Sequence, residues 1–277
     1  MDPDEMEADN RLLQFRKRGS VVCLESTALR RCGFLMHAFC GRREGISEGP
    51  YSSLNVSAKE GDSRERVSKN MEIIARAFGI DLKRFLQVDQ IHGEGVLIVD
   101  SPGDVPTGAL PFDAIVTDRA GLAICVRTAD CVPILLADPR RRVIGIVHAG
   151  WCGTARKVAV GALTAMTARF ACRREDILVA LGPAIGACCY EVDGSVYGAL
   201  TPDLDSAFSA RPGSGRWMLD LPAANRLQIV RCGVPAQNIS SVSLCTSCHG
   251  KEFFSHRAAE GLTGRQLSFI MMDNTEA

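Results

Sequence analysis

Two runs near the middle of the chain, VPILLAD (132–138) and RVIGIVH (142–148), are almost wholly apolar. Short runs of this kind read as buried strands, and the ADPRRR between them suits a hairpin turn. The chain must therefore build a core around them. The second run continues into HAGWC, so a buried strand delivers an imidazole, His148, at its tip. A partly buried histidine bonded to a backbone carbonyl is one reading of that residue. A ligand or catalytic group is the other.

With 277 residues, of which 46% are hydrophobic, the chain can bury a substantial core. Further strand candidates are RFLQVDQIH (84–92), GVLIVD (95–100), DAIVTD (113–118), LAICV (122–126) and residues 176–181. Asp62–Gly79 reads as a helix from its apolar spacing, with a capping Asp62 or Ser63 and a closing Gly79. Residues 154–170, a segment around Tyr197 and residues 222–232 also read as helices. SSVSLCT (240–246) and LSFIMM (267–272) read as a last β pair. Pro133 places its residue at a sheet edge or a strand start. Strands and helices alternate without a steady βαβ rhythm, so the expected fold is α+β: a single domain of mixed β-sheets flanked by helices. Residues 1–20 read as a mobile or surface-lying lead-in, and 21–277 as the catalytic domain.

Lysine plus arginine (32) balance aspartate plus glutamate (32), which gives no global attraction for nucleic acid or an anionic membrane. No apolar stretch reaches eighteen residues, and the beginning, MDPDEMEADN, is acidic where a secretory signal is basic and then apolar. A cytoplasmic protein is expected. Its twelve irregularly spaced cysteines then read as thiols, with metal binding or catalysis as the alternative to burial.

His92, Cys131 and His148 each stand at a turn beside Gly or Ala, at the mouth of an apolar strand. Two nitrogens and a sulfur suit zinc, and three protein ligands leave the open position of a catalytic site. Three buried or capping residues are the alternative. So is a Cys131–His148 thiolate–imidazolium pair for nucleophilic attack. Cys245-Thr246-Ser247-Cys248-His249 imitates a haem attachment sequence, and His92-Gly93-Glu94 with the distant Cys245 and Cys248 imitates a zinc deaminase signature. Leu244 stands where the deaminase pattern has proline, and the roles of Cys245, Cys248 and His249 stay unassigned.

The blocks GPYSSLNV, QIHG, RTADCVPILLAD, VHAGWCGT and LGPAIGACCYEV, followed by CT…FFSHR…TGRQ, resemble the laccase-domain family. These proteins were formerly called multicopper polyphenol oxidases and are now regarded as purine nucleoside phosphorylases with adenosine deaminase activity. The resemblance implies that His92, Cys131 and His148 bind zinc, and that adenosine, inosine, guanosine or methylthioadenosine is cleaved by phosphate to free base and (deoxy)ribose 1-phosphate. It also implies kinship with toxin deamidases that use a Cys–His pair, and it carries the older claim of copper-dependent phenol oxidation. On this reading Asp130 is a candidate acid or base, Asn55 a ribose or phosphate contact, Trp151 a cover for the purine, and Arg257 and Arg265 the anion contacts. Each has a plainer role open to it: a turn cap for Asp130, a loop brace for Asn55, core packing for Trp151. The chain departs from the family at Met71, Cys152 and Ala258, where arginine is usual, which weakens the expected grip on phosphate.

Overall fold

The apolar runs become the middle of a layered structure. The computed structural model describes residues 13–100, 110–201, 203–211 and 213–273. In chain order its main elements are β1 (Leu13–Arg18), β2 (Val21–Ser26), α1 (Thr27–Arg30), β3 (Leu35–Cys40), α2 (Arg64–Phe78), β4 (Phe85–Gln87), β5 (Val96–Val99), β6 (Ala114–Thr117), β7 (Ala123–Thr128) and β8 (Val132–Asp138). They continue with β9 (Val143–Ala149), α3 (Trp151–Ala155), α4 (Val158–Phe170), β10 (Leu178–Leu181), β11 (Glu191–Val192), α5 (Gly194–Leu200), β12 (Phe208–Arg211), β13 (Arg216–Leu219), α6 (Leu221–Arg231), β14 (Ile239–Ser241) and β15 (Gln266–Met272).

One six-stranded sheet has the order β1-β2-β3-β15-β7-β4, the other β14-β10-β8-β9-β6-β5, and β11-β13-β12 form a small third sheet. Antiparallel pairs dominate, with parallel pairing at β4/β7, β5/β6 and β10/β14. This is an α+β domain of mixed sheets with helices outside. Along β8 the side chains alternate between two cores. Val132, Ile134 and Leu136 pack toward α4 and α6, whereas Leu135 and Ala137 pack against the first sheet. Both faces are therefore covered, which is why VPILLAD carries no polar alternation. The first sheet's outer face, including Ala38, Cys125 and Phe269, is closed by Met71, Ile74 and Phe78 of α2.

The hairpin expected at ADPRRR pairs β8 with β9 from Val132↔Ala149 to Asp138↔Val143, and Pro133 stands at the strand start. α2 begins at an N-cap Ser63 and ends at a left-handed Gly79. Three sequence expectations change. Within the 1–20 stretch, Leu13–Arg18 forms an edge strand whose side chains, Leu13 apart, lie partly or wholly in water, so hydropathy did not mark it; residues 1–12 lie outside the described residues. Ile239–Ser241 and Gln266–Met272 do not pair: β14 runs parallel to β10, and β15 lies between β3 and β7 in the other sheet. The helix expected from Thr154 to Phe170 starts at Trp151 and breaks at Lys157, whose φ is +61°. There the Gln228 amide of α6 donates to the Thr154 carbonyl at 2.9 Å, and Asn225 donates to its hydroxyl at 2.9 Å. Among the described residues no helix is long and apolar enough to cross a membrane.

Candidate metal centre

Cys131 precedes β8 and His148 lies near the end of β9, so the antiparallel register brings both to one end of the second sheet. His92 arrives from the QIHG loop, where the chain crosses from β4 in the first sheet to β5 in the second. The nearest ligand atoms of the three residues all lie within 4.8 Å of one another, with His92 Nε2 3.8 Å from Cys131 Sγ. Bonds of about 2.0–2.3 Å to a tetrahedral ion separate its ligands by about 3.5 Å. The donor set thus suits a zinc-like ion with only small side-chain adjustment. Of the three, His148 is buried, Cys131 half-buried and His92 exposed, so the centre opens to one side.

A carboxylate that sequence reasoning left as a strand flank organises the centre. Asp113 is completely buried at the start of β6. Its Oδ1 lies 2.8 Å from His148 Nδ1, and its oxygens accept backbone N–H bonds from Gly93 (2.6 Å), His92 (3.0 Å) and Ile91 (3.3 Å). These bonds hold His92 at φ +57°, in the left-handed region. Burial alone would raise the Asp113 pKa, but the bonds from His148 and the loop amides hold it below its ordinary value. With Nδ1–H given to Asp113, His148 presents Nε2 as its free lone pair, the arrangement common to metal-bound histidines. Without an ion, burial pushes the Cys131 thiol up, yet the charge and hydrogen bond of His148, with those of His92, bring it below its ordinary value. Burial conversely lowers His148, while Cys131 and Asp113 hold it high. Without an ion, both shifts favour a thiolate beside an imidazolium.

The centre opens into a cavity of about 420 Å³, within the range of small-molecule sites. Arg257, Arg265 and Trp151 line it, as do Arg127, Lys59, Tyr190 and His256, which sequence reasoning did not single out. Arg127 stands in the RTADC block itself, so the signal was on view. Of the positions where the family usually has arginine, Met71 is buried on the inner face of α2, and none of Met71, Cys152 and Ala258 lines the cavity. Arg265 pairs with Glu60 at 3.1 Å, and Arg257 donates to the Glu191 carbonyl at 3.0 Å and lies over Tyr190. Glu60 Oε2 and Thr128 Oγ1, on two further lining residues, are buried without a hydrogen-bond partner.

Asp130 also borders the cavity, but both its carboxylate oxygens are engaged, by Thr246 Oγ1 at 2.6 Å and the Arg257 N–H at 2.7 Å. These bonds make it a brace between two loops at the cavity wall. Asn55 is completely buried away from the cavity. Its amide donates to Ser57 O and Asp62 Oδ2, and its oxygen accepts from Ser57 N and Arg265 N, which leaves no bonding position for ribose or phosphate. Cys245 and Cys248 gather with Cys188 and Cys189 rather than with His92, so the deaminase-like signature is not assembled in space.

The sequence profile of the family described as "Multi-copper polyphenol oxidoreductase laccase" matches residues 36–273. Purine nucleoside phosphorylase YlmD of Geobacillus stearothermophilus is 40% identical over 236 residues, which make up 82% of this chain and 86% of that protein. Purine nucleoside phosphorylase LACC1 of Mus musculus is 36% identical over 248 residues, 86% of this chain and 55% of that protein, so the chain spans about half of the mouse relative. The crystal structure of YlmD from Geobacillus stearothermophilus superposes with a TM-score of 0.87 at 35% identity, covering 94% of this chain and 99% of that one.

Proposed function

Because this chain belongs to the multi-copper polyphenol oxidoreductase laccase family, and because relatives at 36–40% identity are named purine nucleoside phosphorylases, we propose that it is a zinc-dependent purine nucleoside phosphorylase that also deaminates adenosine. One observation carries the reading: the His92–Cys131–His148 donor set opens into the same cavity as Arg127, Arg257, Arg265 and Lys59. A zinc ion held by the triad would supply a Lewis acid able to polarise an oxygen and acidify water. The guanidinium groups supply the forked donors that suit phosphate. Trp151 and Tyr190 offer flat apolar walls for a purine.

In phosphorolysis the C1′–N9 bond breaks, a phosphate oxygen bonds to C1′, and the purine leaves after gaining a proton. The arginines hold the attacking phosphate and its charge, and Asp113 fixes the direction of His148. A multicopper cluster does not fit. Among the described residues the triad offers three donors, the other metal-type group is all cysteine, and His37, His249 and His256 join neither.

A second reading rests on the metal-free state, in which Cys131 is a thiolate beside His148 and resembles a cysteine hydrolase pair. One preparation separates the two. Purified protein with adenosine should release adenine and ribose 1-phosphate when phosphate is present, and inosine when it is absent, with both activities lost on chelation. Inertness toward nucleosides, with amide hydrolysis that survives chelation, would overturn the phosphorylase reading in favour of Cys131 as nucleophile.

A further inference from the structure

Four cysteines from two distant segments meet outside the cavity. The Sγ atoms of Cys188, Cys189, Cys245 and Cys248 all lie within 4.8 Å of one another, with Cys248 3.4 Å from Cys189 and 3.6 Å from Cys188. All four are free thiols. We propose that they form a second metal site, a structural tetrathiolate centre for a zinc-type divalent ion, which clamps the 185–190 loop to the 245–249 turn. A tetrahedral ion with bonds of about 2.3 Å to sulfur separates its ligands by about 3.8 Å. The two shortest spacings fall just under that value, and none exceeds 4.8 Å.

Packing does not explain the cluster. Cysteines kept as small hydrophobes are buried, as Cys23, Cys40 and Cys125 are. Cys188 and Cys248 are instead exposed, yet both turn toward the same point as the buried Cys245. The surrounding backbone is shaped for thiolate. The backbone amides of Gly186 and of Cys248, three residues on, lie on the side of Cys245 Sγ that favours its thiolate and lower its pKa against the effect of burial. The turn closes through His249 N to Cys245 O at 3.0 Å, and Thr246 N to Ala184 O at 3.0 Å joins the two segments. A Cβ on Gly186 would come within 3.4 Å of Cys188 Sγ and 3.3 Å of Cys245 Cβ, so the loop backbone passes close against the cluster. Four sulfurs leave no open position, which makes the role structural rather than catalytic.

The clamp lies directly behind the candidate active site. Ile185 N donates to Asp130 O at 2.9 Å and Thr246 Oγ1 to Asp130 Oδ1 at 2.6 Å, beside the ligand Cys131. The Cys189 and Glu191 carbonyls accept from Arg257, and Tyr190 lines the cavity. Uptake of the ion releases the thiol protons to solvent and fixes both segments in this arrangement.

The test is metal analysis of the tag-free full chain. Wild type should carry two equivalents of zinc, His148→Ala one, and the Cys188→Ser/Cys248→Ser double variant one. Loss in His148→Ala alone concerns the triad, and loss in the double variant alone concerns the tetrad. A wild-type measurement guards against misfolded variants: a thiol reagent should reach Cys188 and Cys248 only after a chelator is added. A zinc content that the double variant leaves at the wild-type value, or rapid modification of these two thiols without metal release, would overturn the proposal.

Discussion

Asp113 does not line the cavity, yet its one carboxylate holds the His92 loop and the His148 ring together. Removing it frees both imidazoles and leaves the loop amides unpaired. Asp113→Ala should therefore weaken metal affinity by about 10- to 100-fold, read by competition with a chromogenic chelator; wild-type affinity would deny Asp113 its positioning role. Gly150 makes the complementary demand of empty space. Its φ of −77° suits any residue, but a Cβ there would lie 3.0 Å from Cys131 Sγ and 3.0 Å from His92 Cδ2. Gly150→Ala should lower metal occupancy several-fold while the circular dichroism spectrum stays that of wild type. Full occupancy would show that the triad has slack. The sequence displayed His92, Cys131 and His148 because each stands at a turn beside Gly or Ala, next to a strongly apolar run. It concealed Asp113, which looks like an ordinary strand flank, and it left Asn55 between ribose contact and loop brace, because the bond from Arg265 N, 210 residues away, that completes the brace is not local.

At the level of elements, what was readable is what neighbours in sequence decide. α2 announced itself through apolar spacing, Ser63 and Gly79, and the β8–β9 hairpin through two apolar runs joined by a short polar turn. The break between α3 and α4 was hidden because the groups that take up the Thr154 carbonyl and hydroxyl beside it, Gln228 and Asn225, come more than seventy residues later. The partners of β14 and β15 were hidden because sheet order is set by layer packing, not by adjacency. β3 carries a pH dependence of its own. His37 is buried and accepts the Ser26 N–H at Nε2, which requires the neutral ring. Burial lowers its pKa from 6.5 to about 4, opposed by Glu25 and aided by Arg30 and Arg18. The unfolded chain thus takes up this proton at higher pH than the folded one, so the stability is complete above pH 6.5 and falls away toward pH 4. That loss amounts to about 2 kcal/mol by pH 5. Urea unfolding at pH 8 and pH 5 should show it, and His37→Gln, which keeps an acceptor but does not titrate, should shrink the difference by that amount. An unchanged pH dependence in the variant would place the sensitivity elsewhere.

Across the whole molecule, the candidate site sits where the chain passes between sheets. His92 follows β4 of the first sheet and precedes β5 of the second, while Cys131 lies in the single crossing from β7 to β8. An ion bound by the triad therefore ties the two halves of the sandwich at their open end, and it has no counterpart in the unfolded chain. A ligand at a thousand times its dissociation constant stabilises the native state by about 4 kcal/mol, and for a chain of this size each kcal/mol moves the midpoint by about 2–4 °C. Chelation should then lower the thermal midpoint of wild type by about 10 °C. His148→Ala, which cannot close the triad, should start lower and respond less to the same chelator, its remaining response belonging to the cysteine tetrad. An equal response in the two proteins would mean that the triad's ion bridges nothing the fold depends on, and the centre would then be an ornament of the cavity rather than a seam between sheets.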